Sequence, residues 1–516
     1  MVMDPRGLQE IRETPAPKSI AAAMLVLRTL KKEIARRLIE GTIAATALVP
    51  LLLVLSPQQA QALPVFARQT GQNCVACHAG GQFPELTPYG RLFKMTGYTI
   101  GERTLPLSFM AVVSSSRVRD TSKSDNPPAD FEKNGAVMFS SASLFIAGKV
   151  TENIGLFSQI TYDNYSATGV APDGVSAAGF HGHTQADNID IRYADRFIDS
   201  NRDLIFGVSV NNNPSVTDPW NTAPAWMQYV PTSGRSSYQF VNGPYPGNST
   251  GSNVGGVSAY AYLNKLLYAE LGGYQTANHA FSFMASGITR DGRTKLQGTN
   301  PYWRLALTRE WGPHNIMLGT TGMNTNIADA TDPTANDHVK NQGFDAQYQY
   351  LLDPHTVTGQ LAYMTSKSQY PDSVANQPAA FSPDATGVGN LMPPTNGSDT
   401  THTLRGKLTY VYQAKYGGSL GYFNLTGSTN TANQSSGFDP ATANSIIGNR
   451  VSGNLSGNPA MRGFTYEAFW TPLQYVRVGA QYTTYSKFNG AVSNYDGFGR
   501  DAKDDNTLFF YIWGAY

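Results

Sequence analysis

The chain has 516 residues, 15% of them charged, and a formal net charge of +1. That balance excludes the basic surface a nucleic-acid partner requires. The length exceeds an ordinary globular domain, which leaves several domains or one large closed β structure. Gly (50), Tyr (28) and Phe (24) are abundant and charged residues scarce, a composition of neither a disordered polar chain nor a bundle of membrane helices.

The first element is a targeting segment. The run GTIAATALVPLLLVL, Gly41 to Leu55, has the length of a signal-peptide apolar core and is too short to span a bilayer. Lys31, Lys32, Arg36 and Arg37 precede it, and Ala60-Gln61-Ala62 follows as a small-x-small cleavage site. Residues 1–62 are therefore expected to be a signal peptide with a long leading region, with Leu63 beginning the mature chain. An uncleaved anchor is the alternative, and Met24 is a second candidate start. Export places the two cysteines in an oxidising compartment, where a disulfide is one possible fate.

Residues 63–104 form the second element. Cys74-Val75-Ala76-Cys77-His78 contains both cysteines of the chain, and Cys-x-x-Cys-His is the attachment signal of c-type haem. Two thiolates add to the two vinyl groups of one macrocycle, and the adjacent His becomes the proximal iron ligand. A zinc site would need two more Cys or His at fixed spacing, and a redox dithiol would need a βαβ setting; neither is present. One covalent haem c is expected on Cys74, Cys77 and His78. Met95 is a candidate second axial ligand, against the plainer reading that it fills an apolar gap beside the ring; His181, His183, His279 and His402 read as loop residues. Phe66, Phe83, Leu86, Tyr89, Phe93 and Tyr98 are available to wrap the ring, Pro84 and Pro88 set turns, and Gly90 and Gly97 allow close approach or a left-handed cap. Some forty residues bury too little surface to fold alone, so this segment is expected to lean on the rest of the chain.

From Leu105 to Tyr516 the pattern has period two. Asn188-Ile189-Asp190-Ile191-Arg192-Tyr193 alternates strictly; Leu404, Leu408, Tyr410 and Tyr412 alternate with Thr403, Arg405, Lys407 and Thr409. Sixteen strands are expected, starting near 105, 136, 155, 187, 203, 255, 265, 301, 313, 342, 356, 402, 416, 462, 475 and 506. Short turns such as Thr151-Glu152-Asn153 and Asp353-Pro354 alternate with long polar loops near 118–133, 166–185, 212–254, 276–300, 323–341, 368–400, 427–459 and 487–504. That alternation and the aromatic C-terminus predict an all-β fold: a transmembrane antiparallel β-barrel of about sixteen strands behind a short N-terminal c-type haem segment, rather than a β-sandwich. Tyr at strand ends fits aromatic girdles. Asp190, Arg192, Arg304, Asp345, Arg405, Lys407, Glu467 and Arg477 are expected to face a polar lumen. The third long loop, with Trp220, Trp226 and Met227, reads equally as a surface loop or as one folded into the pore. Asp496, Asp501, Asp504 and Asp505 offer oxygen ligands to a hard cation, although a loop charge run is usually solvated surface.

Pro64-Val65-Phe66-Ala67-Arg68-Gln69-Thr70-Gly71, Cys74-x-x-Cys77-His78, Pro84-x-Leu86 and Gly90-x-x-Phe93-Lys94-x-x-Gly97-Tyr98, followed by a barrel, resemble the fused monohaem cytochrome–porin family. Its best-known members are outer-membrane iron oxidases of iron-oxidising bacteria. The specific part of the match covers residues 64–98. The resemblance implies an outer-membrane electron conduit: extracellular Fe(II) as donor, a periplasmic c-type cytochrome or other carrier as acceptor, outer-membrane lipid around the barrel, and the haem segment in the lumen or on the periplasmic side. Cys74, Cys77 and His78 carry over as thioether and proximal-ligand positions. Another extracellular donor or acceptor, or a solute porin with a structural or sensory haem, are the other readings.

Overall fold

A computed structural model describes residues 64–81, 85–119, 134–163, 183–222, 254–285, 295–328, 336–369, 397–429, 438–439, 444–445, 456–496 and 499–516. The expected signal peptide, Phe83, Pro84, His181, Trp226, Met227 and most of the long-loop residues lie outside them.

Period-two alternation becomes a closed barrel. Its strands are β1 (Leu107–Val118), β2 (Val137–Lys149), β3 (Ile154–Asp163), β4 (His183–Ile198), β5 (Asp203–Asn211), β6 (Val254–Leu263), β7 (Leu267–Thr276), β8 (Asn300–Trp311), β9 (His314–Ala328), β10 (Asn336–Leu352), β11 (His355–Gln369), β12 (Ser398–Tyr412), β13 (Tyr416–Gly427), β14 (Met461–Leu473), β15 (Val476–Lys487) and β16 (Thr507–Ala515). Each pairs antiparallel with the next, and β16 returns to β1 in register from Met110↔Ala515 to Val118↔Thr507. Closure leaves no unpaired sheet edge, which is the condition for a β structure to cross a bilayer. A two-residue strand, Lys295–Leu296, adds to β9 at the long-loop end.

The two faces differ as a lipid barrel requires. Leu305, Leu307, Phe344, Leu361, Leu408, Leu420, Phe510 and Ile512 are exposed on the outside. All eight residues expected to face inward have buried side chains, Asp190, Arg192 and Arg304 completely so. An apolar exterior around a charged interior is the pattern of an outer-membrane barrel, and no other environment pays for that much exposed Leu and Phe. The protein is thus an outer-membrane β-barrel of porin architecture.

Short turns gather at one end. Asn264 and Lys265 both have φ of 52° between Leu263 and Leu267, the left-handed geometry that suits the twist of a hairpin. Short turns mark the periplasmic end. Three sequence expectations need correcting. The loop expected at 323–341 shrinks to residues 329–335, because β9 and β10 continue paired out to Ala328↔Asn336. His402 stands on β12, where Nδ1 meets the Tyr363 and Thr365 hydroxyls, rather than in a loop. Tyrosine is not confined to girdles: Tyr260, Tyr268, Tyr274 and Tyr302 are buried in the interior.

Candidate functional site

The segment ahead of β1 is helical and lies within the periplasmic mouth. Helix α1 (Pro64–Thr70), the single turn α2 (Cys74–Cys77) and α3 (Pro88–Met95) compose it. One helical turn brings Cys74 and Cys77 onto the same face. His78 leaves that turn in an extended conformation and forms a backbone bridge with Leu86. Helix α3 starts where the sequence supplies a cap and a first-turn proline: the Gly90 N–H donates to Thr87 Oγ1 at 3.1 Å, and Pro88 follows. The Thr87 N–H donates to the Cys77 carbonyl at 2.9 Å, seating α3 on the attachment turn. A Cβ at Gly90 would fall 2.1 Å from that carbonyl, so only glycine permits this contact. Gly97 closes α3 with φ of +71°, in the left-handed region.

The barrel's inner wall completes the segment. Arg91 donates to Gln349 (3.0 Å) and Gln347 (3.3 Å) on β10 and to Asn315 (3.0 Å) on β9. Lys407 on β12 pairs with Glu85 at 2.8 Å. The Tyr98 hydroxyl donates to Asp190 Oδ2 on β4 at 2.6 Å. Gln69 donates to the Tyr98 and Ile100 carbonyls and accepts from the Lys149 N–H at the end of β2. Phe66 packs edge-on to Phe93 and stacks with Tyr98, and Phe157 of β3 closes the group. The described residues of the segment therefore touch β2, β3, β4, β9, β10 and β12 and give the inward Asp190 and Lys407 buried partners.

Cys74 and Cys77 are buried, are not joined in a disulfide, and sit by the short turns; the Cys74 thiol lies 3.6 Å from the Gln474 carbonyl. Burial pushes the Cys74 thiol up to about 12 and the Cys77 thiol up to about 11. The same cause holds the His78 imidazole down at about 3. A neutral imidazole beside two thiols on one turn is a donor set suited to c-type attachment. Val75, between the cysteines, is exposed together with Gln72 and Asn73, so this turn presents an edge to the periplasm.

Met95 belongs to a different apolar cluster from Cys74. It packs with Ile205, Trp220, Tyr260, Tyr262, Tyr268, Ala306 and Met317, whereas Cys74 packs with Ala67. The start of the third long loop also folds inward. Helix α4 (Pro214–Thr217) and residues out to Thr222 are buried. Asp218 pairs with Arg304 at 2.9 Å, Arg304 with Asp345 at 2.7 Å, and Lys94 Nζ donates to the Asp218 carbonyl at 2.8 Å. The wall anchors Arg91, Glu85 and Gln69 and the loop contact Asp218 carry no sequence signal of their own; only their place in or beside an amphipathic helix hinted at them. Of the loop acids, Asp505 pairs with Arg500 at 2.9 Å and Asp501 with Lys503 at 3.1 Å, and Asp501 and Asp504 cap one turn reciprocally. Among the described residues no cluster of three or more His, Cys, Asp or Glu is placed to hold a metal ion.

No protein-family model matches the chain, and no curated protein sequence does. Solved structures similar to it include the outer membrane channel DcaP of Acinetobacter baumannii, at 12% identity and a TM-score of 0.42, covering 80% of this chain and 96% of that one. OmpF of Salmonella typhi, solved with daunomycin, is similar at 10% identity and a TM-score of 0.41, covering 80% and 97%. An anion-selective porin from Comamonas acidovorans is similar at 10% identity and a TM-score of 0.37, covering 80% and 98%.

Proposed function

We propose that this outer-membrane barrel is an electron conduit, carrying one haem c on Cys74, Cys77 and His78 and passing electrons from extracellular Fe(II) to a periplasmic c-type cytochrome. The observation that carries the reading is the seat of the Cys-x-x-Cys-His turn: inside a filled barrel mouth, at the short-turn end, with one edge open to the periplasm. When bound, the haem would supply a one-electron centre whose potential follows its axial ligands. The chain's own residues do the rest. Cys74 and Cys77 would hold the haem through two thioether bonds, the Leu86 bridge fixes the His78 backbone, and burial keeps its imidazole neutral and able to serve as a ligand. Lys407 through Glu85, and Arg91 through β9 and β10, hold the 78–91 stretch against the wall. Phe66, Phe93 and Tyr98 pack with one another and with Phe157 of β3 into an aromatic group that would keep water from the segment.

The inward third loop favours a second reading, a solute porin whose haem is structural or sensory, because a loop folded into the lumen is how a pore is narrowed. Two measurements separate them. A haem stain and pyridine-haemochrome titration are expected to give one haem per chain, lost in Cys74→Ala with Cys77→Ala; haem persisting in the double variant would sink the attachment. Stopped-flow absorption of the oxidised protein mixed with Fe(II) is expected to show haem reduction. No reduction, combined with a large ion conductance in planar bilayers, would give the porin reading the field.

A further inference from the structure

The outer wall of the barrel carries a groove across β9 to β14, open to the bilayer and about 440 Å³ in volume. Ala346, Gly359 and Gly406 form its floor on three neighbouring strands, and Leu361, Leu408 and Tyr422 stand around them. No contact among the described residues requires the two glycines. Neither has a positive φ. A Cβ at Gly359 would come no nearer than 4.0 Å to Leu408, and one at Gly406 no nearer than 3.7 Å to Leu361. By contrast, a Cβ at Gly417 would fall 2.2 Å from the Phe469 ring, and one at Gly479 2.3 Å from the Tyr511 ring. A glycine inside a strand forgoes packing and costs chain entropy, so an unforced pair marks a close approach from outside the chain.

The groove also has a polar end. Register places Arg309 of β8, Ile316, Tyr348, Gly359 and Leu408 in one outward row across five strands. Arg309 lies two residues from the periplasmic end of its strand, whereas Gly359 and Leu408 lie four from theirs. The row therefore rises into the membrane away from Arg309. Just below it, the next outward row holds Trp311, His314 and Tyr350. Trp311 stacks on His314 at 5.4 Å between centroids, and His314 Nδ1 meets the Tyr348 hydroxyl at 2.7 Å. Such an aromatic belt marks the level of the lipid headgroups. Arg309 is exposed beside it, while the adjacent Glu310 turns to Arg91 at 3.9 Å. No carboxylate among the described residues pairs with Arg309. An apolar groove climbing from a cation at headgroup level matches a molecule with an anionic head and a hydrocarbon tail.

We infer that this face binds one glycerophospholipid of the periplasmic leaflet, with an acyl chain over Gly359 and Gly406 and the phosphate on Arg309. A guanidinium receives phosphate oxygens through paired N–H donors, and the glycines leave the chain room to lie against the strand backbone. The inference stands on the barrel alone and does not depend on the haem.

The test is native mass spectrometry of the full-length protein, stripped of lipid in detergent and titrated with 1-palmitoyl-2-oleoylphosphatidylglycerol. One lipid per chain is expected to bind before any weaker ones. Gly359→Leu with Gly406→Leu fills the groove and should weaken that first binding about tenfold or more. Arg309→Gln should weaken it about tenfold while leaving 1-palmitoyl-2-oleoylglycerol, which has the same chains and no phosphate, unaffected. Each variant must keep heat-resistant migration on SDS gels, the sign of a closed barrel. If the leucine pair fails to close, the comparison of the two lipids in Arg309→Gln carries the test alone. Unchanged first binding in a closed leucine pair, or an Arg309→Gln effect that is absent or equal for both lipids, overturns the inference. Wild-type oligomers that separate in the leucine pair would give the groove to a second copy of the chain and overturn it as well.

Discussion

Met95 shows how far a single side chain can be read. The sequence offered it two roles, axial ligand or filler. The fold packs it among Trp220, Tyr260 and Tyr268, in a cluster that does not include Cys74. That packing predicts that Met95→Leu leaves the haem absorption spectrum unchanged and costs less than about 1.5 kcal/mol. Met95→Ala should cost about 2–5 kcal/mol through the cavity it leaves, measured as earlier loss of heat-resistant migration on SDS gels. Loss of a far-red sulfur-to-iron band in Met95→Leu would instead assign the sulfur to the metal. Cys74, Cys77 and His78 stand out in the sequence because their spacing is chemistry in itself, and the proposed haem rests on that spacing. Arg91 was not: a lone arginine in a helix acquires its meaning only when Asn315, Gln347 and Gln349 arrive from strands more than two hundred residues away.

Among elements, the inward loop was the least legible. Its sequence left surface loop and inward fold equally open, because nothing apolar recurs in Asn211-Asn212-Asn213-Pro214-Ser215 to decide between them. It is buried because side chains absorb its polar groups: Asn212 accepts from the Ile189 N–H, and Asn213 caps α4 through the Ser215 N–H. The outer ends of β9 and β10 were missed for a related reason. There the outward face carries Asn324, Asn326 and Lys340 instead of apolar residues, while Met323, Thr325, Val339 and Asn341 stay buried on the other, so the hydrophobic pattern fades although burial still alternates and the strands remain paired. Arg304 is the clamp on the loop, bound to both Asp218 and Asp345. Arg304→Met leaves two buried carboxylates without it, a loss of about 3–5 kcal/mol, and is expected to release the loop and raise planar-bilayer conductance. Unchanged conductance would show that other ties suffice. The last long loop should respond to pH. Burial raises the Asp505 carboxyl to about 7 against 3.8 unfolded, with Arg500 pulling the other way. Its protonated form thus favours the folded loop fully below 3.8, and that contribution is lost as pH rises through about 7. Amide exchange at residues 499–506 should quicken above that pH in the wild type and lose this dependence in Asp505→Asn.

For the whole molecule, the barrel was written plainly. Each expected strand start finds a strand of the structure within a few residues, because one face meets lipid and the other a charged interior, which forces period-two alternation. What alternation could not convey is that several inward side chains meet partners from the N-terminal segment and the third loop. If residues 64–104 close the lumen, a chain beginning at Leu105 should still fold, resist SDS unless boiled, and conduct more ions than the full chain. Equal conductance would show that the inward loop alone sets the pore. The fragment 63–103 by itself should lack a cooperative melt, since its polar anchors, Glu85, Arg91 and Tyr98, would lose Lys407, Gln347, Gln349 and Asp190.

The burial of Cys74 and Cys77 also fixes an order of events in the life of the chain. Cys74 is 1% exposed and Cys77 7%, with the strand turn at Gln474 against one thiol. No attachment enzyme can reach both sulfurs once β14 and β15 have paired. Any group they carry must be joined while the chain is still open in the periplasm, and the thiols must be kept from pairing with each other until then. For a chain that carries such a group, modification would come first and barrel closure last, and a chain that closed early would stay without it.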